Sequence, residues 1–302
     1  MTKTLRELTR EAESALLAGP HSERTKLDAE TLLLHVLRQD RAWLLAHGDE
    51  DASDETQAEY AGFVTQRAAG KPIQYITGSS EFFGLPFSVG PGVLIPRPET
   101  EHLVEEVVRL AGLFEQSAPS IGMLSIADVG TGSGIIAVAL AHALPKARIA
   151  AVDLSPQALL VARENADRNR VTERIEFFEG DLLAPLSGRR FSIIASNPPY
   201  VPTGDLASLS IEVREHEPHT ALFAGADGLD VYRRLVPEAR EYLLPGGWLV
   251  MEIGYGQPDA IETMLRSHGY GEVHFIADYQ GILRVAAGGL STDPNASGQT
   301  RA

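Results

Sequence analysis

Apolar residues recur every three or four positions along residues 1–75, which predicts amphipathic helices and a small all-α domain. The clearest run contains Leu27, Leu32, Leu33, Val36 and Leu37. Thr4 with Glu7 has the spacing of a capping box at a helix start. Asp54 with Gln57 has the same spacing and predicts a second helix start.

The pattern changes from helical to extended between residues 76 and 97. Short apolar runs are separated there by Gly78, Gly84, Gly90 and Gly92. Apolar runs bounded by glycine are typical of strands joined by tight turns. We therefore predict a β-hairpin linker over 76–97.

Apolar strands alternate with helices over residues 98–287. The predicted strands are Leu124–Val129, Ile149–Val152, Ile175–Phe178, Phe191–Ala195 and Trp248–Ile253. Helical patterns begin near Glu99, Gly134 and Pro156, and another covers Tyr232–Leu243. Repeated strand–helix alternation predicts an α/β fold with a doubly wound sheet.

The last two apolar runs predict an antiparallel hairpin at the edge of the sheet. Val273–Ile276 and Ile282–Ala286 are joined through the turn residues Asp278–Gly281. Residues 288–302, rich in Gly, Ser, Thr and Asn, are expected to form a disordered tail. The α/β domain is therefore predicted to cover 98–287.

Charge and composition argue against several classes of protein. The 302 residues carry 26 Lys+Arg and 41 Asp+Glu, a net charge of −15, which disfavours tight nucleic-acid binding. The chain has no cysteine, so disulfides and thiolate metal sites are excluded and a reducing, cytoplasmic location is expected. The first residues lack a continuous apolar run, so we expect no signal peptide and no membrane insertion. No two histidines are four positions apart, and no metal site is predicted.

A glycine-rich loop follows the first strand of the α/β region and leads into a helix. It consists of Gly130, Thr131, Gly132, Ser133 and Gly134. Free N–H groups and the helix dipole make such a position a ligand-binding site. Dinucleotide-binding loops place their third small residue at 135, where this chain has Ile135. The pattern D-x-G-x-G-x-G resembles the first motif of class I S-adenosylmethionine-dependent methyltransferases.

Two acidic residues farther along are candidates for the same ligand. Asp153 closes the next predicted strand, where its oxygens suit the two hydroxyls of a ribose. Alone, Asp153 would more often be a helix cap, but the glycine-rich loop upstream favours the ligand interpretation. After the third strand, Asp181 can accept from an adenine amino group and Leu182 can cover the ring. Gly-Asp is also a common turn, so this segment is a weaker signal.

The segment Asn197-Pro198-Pro199-Tyr200 follows strand Phe191–Ala195 at the carboxyl end of the sheet. The prolines fix the backbone and lack N–H groups, so carbonyl oxygens are left free. The nitrogen of an amide or base amine is a poor nucleophile because its lone pair is delocalised. If Asn197 Oδ1 and the Pro198 carbonyl accept from one NH₂ group, they orient that lone pair toward a methyl donor. Tyr200 can stack on the planar substrate; the alternative is a merely proline-stiffened turn.

These motifs resemble the HemK/PrmC family of protein-glutamine methyltransferases over nearly the whole chain. Beyond the two loops, the family-like segments are 72–76, 81–84, 94–101, 224–230, 244–248 and 252–254. The segment through Arg97 and Glu99 distinguishes this family from other Asn-Pro-Pro-Tyr enzymes. These two residues either form an ion pair that holds the loop over the pocket or contact the substrate directly. The charged run 212–217 is more often a solvated face than a site.

The resemblance implies methyl transfer from S-adenosyl-L-methionine to a glutamine side-chain amide. The substrate would be the Gly-Gly-Gln motif of class I peptide chain release factors. The residues implied for the cofactor are Gly130 to Gly134, Asp153, Leu182 and Asn197, and those for the glutamine are Asn197 to Tyr200. The helical domain is expected to recognise the partner, because one exposed glutamine offers too little surface for specificity.

Other functions stay open from the residues alone. The same loop suits the exocyclic amine of adenine or guanine in nucleic acid, but both parts of the chain are acidic and no direct nucleic-acid partner is expected. A cofactor-binding scaffold without catalysis is a further alternative, and Asn197 argues against it. A nicotinamide dehydrogenase is disfavoured by Ile135.

Overall fold

The computed structural model describes residues 3–117 and 123–291. Contacts between residues divide the chain into two compact units. The first comprises Met1–Ser79 and Leu209–His216, and the second comprises Ser80–Ser208 and Glu217–Ala302. The part of the predicted tail from residue 292 onward lies outside the described residues.

Five helices form the main part of the first unit, which confirms the predicted all-α region. They are α1 (Leu5–Leu16), α2 (Thr25–Leu37), α3 (Arg41–His47), α4 (Asp54–Ala68) and α5 (Ile73–Thr77). Their apolar faces share one core that includes Leu8, Leu32, Leu33, Tyr60 and Val64. Burial of these faces, rather than intrinsic propensity, provides most of the stability of short helices.

The helix starts agree with the sequence in one case and differ in the other. Thr4 accepts from the Glu7 N–H at 3.3 Å while the Glu7 carboxylate accepts from the Thr4 N–H at 2.9 Å, which confirms this capping box. The predicted box at Asp54 is wrong. Ser53 caps α4 by accepting from the Thr56 N–H at 3.1 Å, and Asp54 is the first helical residue. Both residue types are good caps, so the sequence did not distinguish them.

A hairpin opens the second unit and is shorter than the predicted range 76–97. It consists of β1 (Ser79–Phe82) and β2 (Leu85–Ser88), whereas α5 continues through Thr77 and residues 89–97 contain no helix or strand. Phe83 and Gly84 form the turn with φ values of 53° and 70°, as a two-residue hairpin turn requires. The rings of Phe82 and Phe87 are buried in the core of the second unit, so the hairpin is part of that core.

A seven-stranded sheet forms the centre of the second unit. Its strands are β3 (Ser125–Val129), β4 (Arg148–Asp153), β5 (Ile175–Glu179), β6 (Phe191–Ser196), β7 (Leu243–Glu252), β8 (Glu272–Ala277) and β9 (Leu283–Gly289). Their order is β5-β4-β3-β6-β7-β9-β8. The first five are parallel, while β9 pairs antiparallel with β7 and β8. The predicted α/β fold with an antiparallel terminal hairpin is confirmed.

Apolar helices cover both faces of this sheet. The helices are α6 (Glu101–Ser117), α7 (Ile135–Ala143), α8 (Pro156–Arg168), α10 (Asp230–Tyr242) and α11 (Pro258–Ser267). Helix α9 (Ile211–His216), between α8 and α10 in the chain, belongs to the first unit. Along β3, Ile126 lies in one core with α6 and α7, whereas Ala127 lies in the other core with α10 and α11. Successive strand residues point to opposite faces, so each strand contributes to both cores.

The strand order places the two predicted loops together. From β3 the chain adds β4 and β5 on one side and later adds β6 and β7 on the other. This reversal is a topological switch point, where α/β sheets bind ligands at the carboxyl ends of their strands. The glycine-rich loop follows β3, Asp153 ends β4, and Asn197 follows β6.

The end of the sheet corrects the predicted tail. Strand β9 continues through Gly288 and Gly289, which pair with Leu249 and Trp248 of β7. A Cβ on Gly289 would lie 2.9 Å from the Trp248 ring, so the glycine permits close packing there. Gly288 and Gly289 resemble a disordered segment in composition, so the sequence predicts too early an end for this strand.

Two helices, α9 and α11, were not predicted from the sequence. Helix α9 belongs by its contacts to the first unit, where Glu212 accepts a hydrogen bond from the buried Arg67 guanidinium. Arg67 also pairs with buried Asp28 at 2.6 Å. The charged run that begins at Glu212 is therefore not simply a solvated face. No helix within the described ranges is both long and apolar enough to span a bilayer.

Candidate active site

The glycine-rich loop after β3 is held by backbone hydrogen bonds to the adjacent strand β4. The N–H groups of Gly130 and Thr131 both donate to the Val152 carbonyl, at 2.8 and 2.9 Å. Gly130, Gly132 and Gly134 have φ values of 72°, 56° and 82°, a region that favours glycine. The sequence pattern is therefore required by the conformation of the loop.

The three glycines differ in what surrounds them. A Cβ on Gly134 would lie 3.0 Å from the Ala162 side chain, so this glycine serves the packing of α7 against α8. At Gly130 and Gly132 a Cβ would meet no atom of the described residues within 4 Å. These two glycines border open space beside the first turn of α7, which a ligand can approach.

Asp128 lies beneath this loop and is fully buried. Its Oδ2 accepts from the Thr131 hydroxyl at 2.6 Å and from the Ala137 N–H at 3.0 Å. Its Oδ1 has no hydrogen-bond partner among residues 3–117 and 123–291. Burial raises the pKa of the Asp128 carboxyl to about 7. Asp128 is the first residue of the D-x-G-x-G-x-G pattern, but the sequence alone predicts no role for it.

Asp153 closes the glycine-rich loop from the end of β4. Its Oδ2 accepts from the Gly132 N–H at 2.8 Å, and its Oδ1 accepts from the Ser155 N–H at 2.9 Å. The helix cap itself is Ser155, which accepts from the Ala158 N–H at 3.2 Å. Each carboxylate oxygen has a further lone pair, so the ribose contact remains chemically open and stays a prediction.

Leu154 directly follows Asp153, and its side chain is 70% exposed. The sequence reasoning missed this residue. Its signal was an apolar side chain directly after a strand-ending acid, and only the structure shows that the side chain is uncovered. It offers an apolar surface beside the glycine-rich loop.

Asp181 and Leu182 lie beyond the end of β5. The exposed Asp181 carboxylate forms an ion pair with Arg234 of α10. Leu182 adopts a φ of 48° and packs partly against the core. The adenine contacts of both residues stay predictions, and a ligand at Asp181 would share the carboxylate with Arg234.

The Asn-Pro-Pro-Tyr loop is held by side chains from distant parts of the chain. The Asn197 NH₂ group donates to the Thr100 hydroxyl at 3.2 Å. The Tyr200 hydroxyl donates to Glu252 Oε1 at 3.2 Å, and its carbonyl accepts from the Gln257 NH₂ group at 3.1 Å. These contacts orient both ends of the loop. The predicted stacking of Tyr200 on a substrate stays a prediction.

Glu252 is the buried centre of these contacts. Its carboxylate is 2% exposed, and its Oε2 accepts from the Thr100 hydroxyl at 2.6 Å. Burial raises the pKa of the Glu252 carboxyl, whereas the hydrogen bonds from Thr100 and Tyr200 oppose that rise. Sequence reasoning placed both Thr100 and Glu252 in family-like segments but predicted no role for them.

Arg97 pairs with a residue that the sequence did not single out. Its Nη2 donates to Glu217 Oε1 at 2.6 Å, and Glu217 Oε2 accepts from the Ile95 N–H at 3.4 Å. Of the two alternatives for Arg97 and Glu99, the ion pair between them is wrong, because Arg97 pairs with Glu217. A direct contact of either residue with the substrate stays a prediction. Glu217 is buried and joins the segment before α6 to the segment after α9. Glu217 is therefore not part of a solvated face.

Within residues 3–117 and 123–291, no group of three or more His, Cys, Asp or Glu side chains could hold a metal ion. The site therefore consists of a backbone cradle with buried Asp128 and, at the same sheet edge, a loop that presents carbonyl oxygens. The open space at Gly130 and Gly132 can admit a small ligand, and carbonyl acceptors suit an NH₂ group.

Comparison with known proteins agrees with this arrangement. Residues 7–78 match the PrmC N-terminal domain, and residues 113–212 match the Methyltransferase small domain. The release factor glutamine methyltransferase of Geobacter sulfurreducens is 45% identical over 90% of this chain and 92% of that protein. The protein of the same description from Moorella thermoacetica is 44% identical over 92% of this chain and 95% of its own length.

A solved structure gives the same fold at much lower identity. The hMettl16 catalytic domain, in complex with the MAT2A 3′UTR hairpin 1, has a TM-score of 0.55 at 16% identity. The match covers 82% of this chain and 85% of the hMettl16 chain. At this identity the likeness concerns the fold alone. The high identity of the curated relatives over nearly their whole length confirms the resemblance found in the sequence. The chain belongs to the family of release factor glutamine methyltransferases.

Proposed function

We propose that the protein transfers the methyl group of S-adenosyl-L-methionine to the side-chain amide nitrogen of a glutamine in a class I peptide chain release factor, within its Gly-Gly-Gln motif. The observation that carries this proposal is the pair of loops at one sheet edge. One loop is a backbone cradle, and the other begins with Asn197, whose NH₂ group is bound by Thr100. The Asn197 carbonyl oxygen therefore remains to accept from a substrate amide.

The cofactor would be held by Gly130 to Gly134, Asp153 and the apolar side chains of Leu154 and Leu182. When bound, S-adenosyl-L-methionine supplies an electrophilic methyl group on a sulfonium, so the leaving group is already part of the cofactor. Support comes from the open space at Gly130 and Gly132 and from the unpartnered Oδ1 of buried Asp128 among the described residues. A cationic amine near Asp128 would favour the ionised carboxylate.

Catalysis in this proposal is positioning and charge stabilisation. Asn197 Oδ1 and the Pro198 carbonyl accept from the glutamine NH₂ group and turn its lone pair toward the methyl donor. As the nitrogen acquires positive charge, both oxygens stabilise it. The nitrogen then loses one proton to water, which gives the neutral methylamide. The Tyr200 hydroxyl is bound to Glu252, so the Tyr200 ring has a fixed position from which it packs against the glutamine side chain.

Recognition of the rest of the partner is assigned in this proposal to the helical unit. A cleft of about 260 Å³ on that unit is lined by four basic side chains, two acidic ones and the apolar Leu45: Arg6, Arg10, Lys26 and Arg41 against Glu13 and Glu30. Arg41 pairs with Glu30 at 3.1 Å, and Arg6 pairs with Asp49 at 2.9 Å. Leu45 is 74% exposed. In a chain with a net charge of −15, Arg10 and Lys26 give this cleft a local excess of positive charge, which fits an acidic segment of a release factor.

Charge reversal tests this role of the helical unit. We expect Arg10→Glu combined with Lys26→Glu to raise the KM for the release factor about tenfold while kcat stays unchanged. Lys146→Glu, an exposed lysine of the second unit, is the matched control and should behave as wild type. An unchanged KM in the double variant contradicts the assignment.

The function itself is tested by methyl transfer from labelled S-adenosyl-L-methionine to a purified class I release factor. Parallel reactions contain the factor with its Gly-Gly-Gln glutamine changed to alanine, and a nucleic acid. Label on the intact factor alone supports the proposal. Label on nucleic acid alone contradicts it and favours the base-amine alternative.

A further inference from the structure

A chain of hydrogen bonds runs behind the Asn-Pro-Pro-Tyr loop and returns to it. The Asn197 NH₂ group donates to Thr100 Oγ1 at 3.2 Å, and the Thr100 hydroxyl donates to Glu252 Oε2 at 2.6 Å. The Tyr200 hydroxyl donates to Glu252 Oε1 at 3.2 Å. The first and last residues of the loop are thus bound to one carboxylate, directly or through one hydroxyl.

The direction of these bonds follows from the chemistry of the groups. An ionised carboxylate can only accept, so Glu252 requires the Thr100 hydroxyl to donate its single proton. The Thr100 oxygen then has only lone pairs to offer Asn197, and only the NH₂ end of that amide can face it. The Asn197 Oδ1 is left pointing away from Thr100, free to accept from a substrate.

The groups that set this direction are rigidly placed. Thr100 is fully buried at the start of α6, and Glu252 is the last residue of β7. The Tyr232 hydroxyl, from α10, donates to the Glu252 backbone carbonyl at 2.8 Å. Buried hydrogen-bonded groups on helices and strands hold their geometry better than groups on loops.

We propose that Glu252 and Thr100 are positioning residues that choose which end of the Asn197 amide faces the substrate, and that methyl transfer requires Glu252 to be ionised. This inference rests on the proposed function, since it assumes that Asn197 Oδ1 accepts from the glutamine NH₂ group. If Glu252 is protonated, it donates to Thr100 in place of accepting. The Thr100 hydroxyl can then donate its hydrogen bond to Asn197. The Asn197 amide turns over, so that its oxygen accepts from Thr100 and its NH₂ group faces the substrate.

Charged and titratable groups from several elements act on Glu252. Glu99 precedes α6 and raises the pKa of the Glu252 carboxyl, while Arg284 of β9 lowers it. The hydroxyls of Tyr200 and Tyr232 adjoin it, and burial keeps both neutral because it raises their pKa values. Burial of Glu252 is the largest effect and raises its pKa above the usual range of a glutamate. Activity is therefore lost as the pH falls through this raised pKa.

The first test removes the Thr100 hydroxyl and then restores it. Thr100→Val keeps the shape but loses the bridge, and we expect kcat to fall about 10- to 100-fold with cofactor Kd and release-factor KM near wild type. Thr100→Ser restores the hydroxyl and is expected to stay within about threefold of wild type. Thr263→Val, which loses an exposed helical hydroxyl bound to Asp259, is the matched control.

The second test is the pH dependence of kcat at saturating cofactor and release factor. Wild-type kcat should fall as the pH is lowered through the raised pKa of Glu252, because its carboxylate becomes protonated. Glu252→Gln cannot titrate, so its kcat is expected to be lower at pH 8 and to lack this acidic fall. A merely structural role for Glu252 would lower kcat without removing the acidic fall.

The outcomes separate this inference from the proposed function. If wild type methylates no release factor, the function fails before any variant is compared. If wild type is active, wild-type kcat in Thr100→Val or an unchanged acidic fall in Glu252→Gln overturns the inference alone. Should Thr100→Val fail to fold, judged by its melting temperature, Thr100→Ser and the Glu252→Gln profile still decide.

Discussion

The glycine-rich loop after β3 and the Asn-Pro-Pro-Tyr loop after β6 lie at the same edge of the sheet but are held in different ways. The first is held by the adjacent strand β4, because the Gly130 N–H donates to the Val152 carbonyl and the Gly132 N–H donates to the Asp153 carboxylate. The second is held by side chains far away in sequence, namely Thr100, Glu252 and Gln257.

This difference determines which substitutions disturb the conformation of each loop. A loop held by the adjacent strand is disturbed only by changes within it or in that strand. A loop held by remote side chains can lose its geometry while its own residues stay unchanged. Substitutions in the two loops should therefore separate cofactor binding from the chemical step.

The largest effect is expected from Asn197→Ala. Removing one oxygen that stabilises charge in a transition state lowers kcat by about 100- to 1000-fold. The measurement is single-turnover methyl transfer to the release factor. The matched control is Asn169→Ala, which should keep its methyl-transfer rate; the Asn169 NH₂ group donates to the backbone carbonyls of Pro86 in β2 and Asn165 in α8. A rate within threefold of wild type would remove Asn197 from the reaction.

The comparison is sharpened by Gly132→Ala, which changes the glycine-rich loop alone. A side chain at a φ of 56° is strained and would project into the open space of the cradle. We expect the Kd for S-adenosyl-L-methionine, measured by calorimetry, to rise at least about tenfold, with a loss of roughly 1 kcal/mol in stability.

Gly62→Ala is the matched control for this change. Gly62 lies within α4, and a Cβ there meets no atom of the described residues within 4 Å. Alanine should stabilise the helix by about 0.5–1 kcal/mol and leave cofactor affinity unchanged. Equal cofactor affinity in the two glycine variants would contradict the proposed cradle.

A smaller effect concerns the pH dependence of stability through Asp128. The pKa of this carboxyl is raised to about 7 in the folded protein, so the folded state binds the proton more tightly than the unfolded chain. Its contribution favours folding at acidic pH and is lost as the pH rises toward 7. Asp128→Asn removes this titration, so the melting temperature should change less between pH 5 and pH 8 than in wild type, without cofactor. An identical pH dependence in both proteins would refute this contribution.

The smallest effects separate two uses of Asp181. Its exposed ion pair with Arg234 should be worth less than about 1 kcal/mol, so Arg234→Ala should hardly change the free energy of unfolding. If Asp181 also accepts from the adenine amino group, Asp181→Asn raises the cofactor Kd about threefold, whereas Arg234→Ala does not. Equal cofactor affinity in both variants would leave Asp181 with its ion pair alone.

The same contrast explains what could be predicted from the sequence. The α/β fold, the parallel strands and the terminal hairpin follow from local alternation of apolar residues, and the structure confirms them. The loop glycines follow from local backbone requirements, seen in their positive φ values. The functional roles of the loop residues stay predictions.

What the sequence could not predict depends on contacts between distant residues. Glu217 lies 120 positions from Arg97, and Glu252 lies 152 positions from Thr100. No local pattern identifies such partners, so the neighbouring Glu99 was the more obvious candidate for Arg97. The end of β9 was misplaced because Gly288 and Gly289 resemble a flexible segment in composition but are packed against Tyr270 and Trp248.

The most direct test of the central claim is a crystal structure of the protein with S-adenosylhomocysteine and a release factor or its glutamine-containing loop. The account predicts that the glutamine NH₂ group lies within hydrogen-bond distance, about 2.7–3.2 Å, of both Asn197 Oδ1 and the Pro198 carbonyl. It also predicts that the Asn197 NH₂ group still faces Thr100. A glutamine bound away from Asn197 and Pro198, or an Asn197 amide turned the other way, would contradict it.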